Sequence, residues 1–302
     1  MKALIIGYGS IGRRHHQVLL ELDNVEEVHI VTKQMLDNII HFRSIEDIEN
    51  LDVYDYFIIA SETHKHFTQL KYLESKVSNK RVFCEKPLFE VKKELNILKN
   101  KVFVGYVLRF HPLLQKLKTF LQGEKVINVH VKCGSYLPTW RQNIDYRDSY
   151  SAKKEEGGGV LLDLSHEIDY VQWLFGKVVE IKSYQMKVSD LEINSDDLVV
   201  AIGKTSKGTI VNLSLDYISK MSHRKLMVDT DEKSFELDLI NNILITKDKN
   251  SLEQKYEFPK LERNYMFEQM HKSILSNEES VCTFLEGMEV METISKIQEQ
   301  NQ

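Results

Sequence analysis

KALIIGYGSIG, residues 2–12, decides the fold. Lys2–Ile6 is an apolar run of strand length that leads straight into Gly7-Tyr8-Gly9-Ser10-Ile11-Gly12. Helical spacing follows from about Ile11 to Leu22, and then a second strand, Val28–Thr32. Strand, G-x-G-x-x-G, helix, strand is the context in which this motif binds a dinucleotide. Gly7 permits the tight turn, Gly9 lets the backbone approach a pyrophosphate, and Gly12 lets helix and strand pack closely. The helix N-terminus then offers free N–H groups to the phosphates. An acidic residue closing the second strand would hold the ribose 2′-hydroxyl of NAD, but here the strand closes Val31-Thr32-Lys33-Gln34. Thr32 and Lys33 suit a 2′-phosphate, so the expected cofactor is NAD or NADP with a lean to NADP; a merely solvated Lys33 is the competing reading.

Outward from this start, Ser44–Leu51 reads as a short helix and Val53–Ala60 as a buried strand. Ser61-Glu62-Thr63-His64-Lys65-His66 opens a helix running to about Ser75. His64 and His66 are two apart and share no helical face, so no metal site is expected. Arg81–Cys84 is the next strand and stops at Glu85-Lys86-Pro87; a helix is expected before strand Val102–Tyr106. Arg109-Phe110-His111-Pro112 leads into a helix at Leu113–Leu121. Short strands alternating with helices predict a parallel sheet covered on both faces.

From Lys125 the pattern changes. Val126–Tyr136, Val178–Val188, Leu198–Lys204, Thr209–Ser219, Lys225–Asp229, Ser234–Leu239 and Asn242–Thr246 read as longer, alternating strands of an antiparallel or mixed sheet with one open face. Helices at about Glu262–Ser276 and Thr283–Gln300 close the chain. The expected division is residues 1–122 and 123–302. The open sheet face predicts a homodimer or homotetramer.

Composition sets the class. The 302 residues are 42% hydrophobic and 28% charged with a net charge of −5, which argues against nucleic acid as partner. No apolar run reaches membrane length. Met1 leads into a strand without a secretory signal, and three scattered cysteines suit a reducing cytoplasm, so a cytoplasmic protein is expected.

Two segments carry candidate chemistry. GGGVLLDLSHEIDYVQWLFG, residues 157–176, sets Asp163, His166 and Asp169 three apart within an apolar run of helical spacing. On one helix these side chains share a face, as a proton-transfer pair would require; a capped helix with a structural His–Asp pair fits the same letters. The three glycines predict close approach to something bulky. Before them, Tyr136 to Tyr150 is aromatic and Arg-bearing with no regular period. It reads as a substrate lid contributing Tyr136, Trp140, Arg141, Tyr146 and Arg147, or as a loop packed across a neighbouring subunit.

With GYGSIG at the start, CEKP at 84–87 and GGGVLLDLSHEID in the middle, the chain resembles the glucose–fructose oxidoreductase/inositol dehydrogenase (Gfo/Idh/MocA) family over its whole length. The resemblance implies an α/β fold: an N-terminal Rossmann domain, then an α+β domain with a large open sheet. It implies an NAD(P)-dependent dehydrogenase or reductase of a sugar derivative, with a nucleotide-linked or acidic amino sugar the expected substrate. Lys86 is then the lysine beside nicotinamide and substrate, preceding a cis peptide bond. Asp163 and His166 match the family's Asp and His, and His66 matches a histidine in the loop after the third strand. Tyr8, Ser10, Ile11, Ala60, Ser61, Thr63 and Glu85 fall at the cofactor and Arg109 at the substrate. Two departures stand out: the Asp–His spacing is three where four is common, and Glu62 replaces the usual proline.

Independently of the resemblance, oxidising a secondary alcohol needs a base, for which histidine is suited, and a cation to steady the alkoxide. His166 and Lys86 are the candidates, with Asp163 orienting the imidazole. Two other readings remain: a non-catalytic cofactor-sensing protein, and a reductase of a non-sugar carbonyl or diol.

Overall fold

The computed structural model describes residues 1–141, 144–276 and 280–301. Its N-terminal part follows the alternation of apolar strands and amphipathic helices. β1 (Lys2–Ile6), α1 (Ser10–Leu20), β2 (Glu27–Val31), β3 (His41–Phe42), β4 (Tyr56–Ile59), α2 (Thr63–Lys76), β5 (Arg81–Cys84) and β6 (Lys101–Val104) occur in that order. Pairing runs β6-β5-β4-β1-β2-β3, all parallel. β1 and β4 are buried almost throughout, as strands covered on both faces must be.

The helix expected between β5 and β6 does not form. Residues 87–100 carry no helix, and the backbone N–H groups of Leu98 and Lys99 instead donate to the Glu74 carboxylate at 2.7 and 2.6 Å. Val91 and Leu98 stay exposed, so the apolar residues of this segment make no buried helical stripe. The short helix expected at Ser44–Leu51 is reduced to two single turns, Ile45–Asp47 and Leu51–Val53.

The second part begins with α3 (Pro112–Phe120) and β7 (Val126–Gly134). α4 (Val160–Asp163), α5 (His166–Phe175), β8 (Val178–Met186), β9 (Leu198–Thr205), β10 (Ile210–Asp216), β11 (His223–Thr230), β12 (Lys233–Asp238), β13 (Ile243–Asp248) and β14 (Glu253–Glu257) follow. The eight strands are ordered β14-β13-β12-β11-β7-β10-β9-β8, antiparallel except for the parallel pair β7–β10. Val129, Val131, Leu213, Leu215, Leu226 and Val228 fill one face. The other leaves Tyr184, Val200, Ile202 and Met227 exposed. β14, with sequence EQKYE, has no apolar alternation and lies at the sheet edge, which is why its strand state is invisible in the letters.

The chain ends with α6 (Tyr265–Ser276), β15 (Cys282–Thr283) and α7 (Phe284–Glu299). β15 pairs antiparallel with β6, giving the first sheet its seventh strand. Two compact units result: residues 1–110 with 262–288, and residues 111–261 with 289–302. A single cut near residue 123 differs from this division because α6 is apolar on one side. Its Phe267, Met270 and Ile274 join the core of the first unit, around Ile5, Ile58 and Phe83.

Candidate active site

Register places the candidate cofactor residues in one row. Ile6 pairs with Val31 and Ile59, and Ile59 pairs with Cys84. The residues that follow these strand ends, Gly7, Thr32, Ala60 and Glu85, therefore emerge side by side at the carboxyl edge of four adjacent parallel strands. Ligands of open α/β sheets bind at this edge. Gly7 has φ +100, and a Cβ there would lie 2.6 Å from the Ser61 backbone; at Gly12 a Cβ would meet the Gly7 carbonyl at 2.1 Å. Gly9 is different: its missing Cβ points into open space, and it caps α1 without any side-chain acceptor. The first-turn N–H groups of α1 and the space above Gly9 fit a dinucleotide pyrophosphate.

Around this edge Tyr8 and Ile11 line the start of α1, Ser10 is exposed, and Ser61 Oγ donates to Gln69 at 2.7 Å. Thr63 begins α2. Thr32 Oγ1 accepts from the Gln34 N–H at 3.2 Å and Lys33 is exposed. A residue absent from the sequence expectation joins them: Arg13 donates to Gln34 Oε1 at 2.7 Å, with its guanidinium 5.3 Å from the Tyr8 ring centre. The signal was available, because Arg13 directly follows the last motif glycine.

His66 lies inside rather than at the edge. It is buried, with Nδ1 3.1 Å from the Pro87 carbonyl and Nε2 3.1 Å from the Ser61 carbonyl. Burial holds its pKa below the usual imidazole value, and a neutral ring donates to one carbonyl at a time. His66 thus pins the loop after β4 to the Lys-Pro turn, a different place from the cofactor contact expected of it. Lys86 follows β5, is half-buried, and precedes a cis bond to Pro87. Arg109 also departs from expectation. It is 1% exposed, and its guanidinium is bound to Glu286 at 2.9 Å. This is a strut of the first unit, and the expected substrate contact finds no support in its position.

In the second unit the segment 157–176 is not one helix. α4 ends at Asp163, Leu164 and Ser165 turn, and α5 starts at His166. Spacing along a single helix therefore does not relate Asp163 to His166. Asp163 is 6% exposed and its Oδ2 accepts from the Tyr217 hydroxyl at 2.6 Å, with the Tyr150 hydroxyl a second donor. Burial and the Asp163 charge together push both phenols well above their usual range. Neither tyrosine was expected at the site, since Tyr217 lies 54 residues away in sequence. His166 is half-buried at the start of α5, and Asp169 is fully buried.

The bulky neighbours of the three glycines are parts of the protein itself. Gly157 has φ +80 and ends a short turn. A Cβ on Gly158 would lie 2.0 Å from the Tyr150 carbonyl, and one on Gly159 would lie 2.2 Å from Asp196 Oδ1. Asp196 Oδ2 accepts in turn from the Leu161 N–H at 3.0 Å, which anchors α4.

The aromatic loop is ordered in short turns, and its residues 142 and 143 lie outside the described residues. Trp140 donates to Ser135 Oγ at 2.7 Å and meets Tyr217 edge-on, so it buttresses the Asp163 cage. Tyr136 lies under Lys220, 4.4 Å from its ring centre, and exposed Arg141 stands 5.5 Å over Tyr150. Tyr146 accepts from the Glu192 N–H, while Arg147 is exposed and paired with Asp145 and Glu192. Trp140, Arg141 and Tyr146 line one hollow with Leu137, Ile144 and Ser149. Arg147 is held in ion pairs with Asp145 of the loop and Glu192 outside it.

An oxidoreductase-family model for the NAD-binding Rossmann fold matches residues 1–106, and the model for the family's C-terminal alpha/beta domain matches residues 122–302. The chain belongs to the Gfo/Idh/MocA oxidoreductase family. Within that family it is similar to glucose-6-phosphate 3-dehydrogenase of Bacillus subtilis (strain 168), at 27% identity over 69% of this chain. The match spans 65% of that relative's length, just under two thirds. Among solved structures it is similar to UDP-N-acetylglucosamine 3-dehydrogenase from Acidithiobacillus ferrooxidans, with TM-score 0.76 at 16% identity, covering 100% of this chain and 97% of the other. It also matches the WlbA dehydrogenase from Bordetella pertussis, solved with NADH and UDP-GlcNAcA, with TM-score 0.77 at 15% identity and coverage of 99% and 95%. The expected fold class stands: a Rossmann domain followed by an alpha/beta domain built on an open mixed sheet. Among the described residues no helix is long and apolar enough to cross a membrane.

Proposed function

We propose that the protein is an NAD(P)-dependent oxidoreductase acting on a secondary alcohol or ketone of a sugar derivative, most fittingly a nucleotide-linked or acidic amino sugar. The observation that carries it is the row of Gly7, Thr32, Ala60 and Glu85-Lys86 along one strand edge, in a chain of this family. A bound nicotinamide supplies or accepts the hydride. The chain's own groups do the rest. His166 takes the hydroxyl proton in the oxidative direction, Lys86 steadies the developing alkoxide, and Asp163, supported by Tyr217 and Tyr150, supplies a fixed negative charge. The relatives' sugar phosphate and UDP-sugar substrates favour the same class here. Arg141, in the hollow with Trp140 and Tyr146, is the candidate for the substrate's anionic part.

The test is a panel of UDP-N-acetyl-hexosamines, their uronic acids and hexose phosphates, followed by nicotinamide absorbance. Lys86→Ala and His166→Ala should each lower turnover by about a hundredfold or more while cofactor affinity holds; unchanged turnover in both refutes the assignment.

The NADP reading rests on Arg13, Thr32 and Lys33, which supply two cations and a hydroxyl at the end of β2. Replacing both Arg13 and Lys33 by Ala should weaken NADP by about tenfold or more relative to NAD, read by thermal shift or fluorescence titration. Equal losses for both cofactors would reject it. The exposed Tyr184, Val200, Ile202 and Met227 favour a homodimer or homotetramer through the open sheet face, which sedimentation equilibrium decides.

A further inference from the structure

The dinucleotide-binding unit contains a buried row of titratable side chains that the proposed chemistry leaves unused. Glu85 Oε1 lies 2.9 Å from His15 Nε2, His15 Nδ1 lies 2.8 Å from His271 Nε2, and His271 Nδ1 lies 2.8 Å from the Tyr56 hydroxyl. His15, His271 and Tyr56 have no exposed surface, and Glu85 is 8% exposed. The four come from four places in the chain: the end of β5, α1, α6 and β4. Phe83 and Phe267 close edge-on over His15 at 4.9 and 5.4 Å between ring centres. Arg14 acts electrostatically on Glu85 and Arg81 on Tyr56, and Arg14 also stands over the Phe267 ring and donates to Asn264.

Buried polar groups are costly unless every donor finds an acceptor. A carboxylate only accepts, so His15 Nε2 carries the hydrogen toward Glu85, which leaves Nδ1 to accept from His271 Nε2. His271 Nδ1 then accepts from the Tyr56 O–H. The row has one direction and no unmatched member along it. It ends on a carboxylate held at both oxygens, because Glu85 Oε2 accepts the Lys86 backbone N–H at 3.0 Å. Gly105 leaves it just enough room, since a Cβ there would sit 3.0 Å from Oε2. Glu85 therefore cannot turn without losing a bond at one end or the other.

We propose that Tyr56, His271, His15 and Glu85 form a positioning device for Lys86: the row fixes the Glu85 carboxylate, and the carboxylate fixes the backbone from which the Lys86 side chain departs. This rests on the assignment of Lys86 as the group that steadies the substrate oxygen. It makes α6, at the far end of the sequence, a determinant of the chemistry without touching substrate. It also turns Glu85 into a positioning residue.

Two readouts test it. The first needs no substrate: the intact protein is acetylated with an N-hydroxysuccinimide ester, and peptide mass spectrometry gives the rate at Lys86 relative to exposed Lys33. His271→Phe keeps a ring of similar bulk and removes both nitrogens. It should change the Lys86-to-Lys33 ratio by about threefold or more, because a lysine's reactivity follows its surroundings closely. Tyr56→Phe, which removes only the last donor, should move the ratio in the same direction by less. Wild-type ratios in both variants overturn the proposal.

The second readout is turnover with a substrate from the panel. His271→Phe should lower kcat by about tenfold with KM within about threefold, and combining it with Lys86→Ala should cost nothing beyond Lys86→Ala alone. Inactive Lys86→Ala beside fully active His271→Phe overturns the positioning role and leaves the assignment of Lys86 intact. Fully active Lys86→Ala overturns that assignment itself. Should His271→Phe fail to fold, Tyr56→Phe carries both readouts.

Discussion

Glu85 in the first unit and Asp163 in the second are both buried carboxylates, 8% and 6% exposed, and each stands close in sequence to a candidate catalytic residue, Lys86 and His166. Their donors differ. Glu85 is held by an imidazole and a backbone amide, with a second imidazole and a phenol behind. Asp163 is held by the phenols of Tyr217 and Tyr150. Each arrangement meets the same physical demand, a donor for every lone pair taken out of water. Imidazole, however, gains a proton just below neutral pH, whereas phenol loses one only in strong alkali. The two supports are therefore built to fail at opposite ends of the pH scale.

The largest effect should come from removing a carboxylate outright. Asp163→Ala strands the buried Tyr217 hydroxyl and takes the acceptor from Tyr150, and should cost about 3 kcal/mol of stability, measured by urea unfolding with hydrogen exchange to localise the loss. A loss below about 1 kcal/mol would show that the Tyr217 and Tyr150 bonds contribute little, and the contrast with Glu85 would collapse.

The next effect is on pH dependence. Burial, with His15 close by, keeps the His271 pKa well below 6.5, so the unfolded chain binds more protons than the folded one in acid. Stability of the first unit should then fall as pH drops below about 6.5, by up to about 1.4 kcal/mol per pH unit for that group. His271→Phe should flatten this limb. The second unit has an acid-sensitive point of its own away from Asp163. His111 caps α3 by accepting the Leu113 N–H and donates to Asn242, and burial lowers its pKa to about 4. Its share of the loss should run from about pH 6.5 to about pH 4 and vanish in His111→Asn.

For Asp163 the sign reverses. Tyr217 and Tyr150 have raised pKa values, so above pH 10 the unfolded chain gives up protons that the folded chain keeps. Stability should fall as pH rises beyond about 10. The smallest expected change is in Tyr217→Phe, which should cost about 2 kcal/mol at neutral pH and lessen the alkaline limb. An alkaline limb identical to wild type would mean that this phenol ionises as freely folded as unfolded.

How much of this was legible in the letters follows the range of each interaction. Gly7, Gly9 and Gly12 could be assigned because turn, phosphate approach and helix packing are demands met within six residues. Lys86 was singled out by its match to the family's lysine in Cys84-Glu85-Lys86-Pro87, just past the end of a buried strand. The break between α4 and α5 was not legible, since VLLDLSHEI has helical apolar spacing throughout, and the turn at Leu164–Ser165 leaves no Gly or Pro behind. The segment 87–100 erred the other way: its composition favours a helix, and a carboxylate from α2 takes its amides instead. Arg109 resembled a substrate-binding arginine until Glu286, 177 residues on, was seen to hold it.

By itself the sequence determined most of the strands and helices of the first 84 residues, the change at about residue 125 from βα alternation to a broad sheet, and the motif glycines. Each rests on local periodicity or on backbone freedom, which neighbouring residues express. Only the tertiary structure decided that α6 joins the first unit, that the 157–159 glycines clear space for Tyr150 and Asp196, and that His66 is a pin. It alone paired His15 with His271 and Asp163 with Tyr217. A buried donor takes whatever acceptor packing brings within 3 Å, and that neighbour is set by how strands and helices assemble, not by distance along the chain.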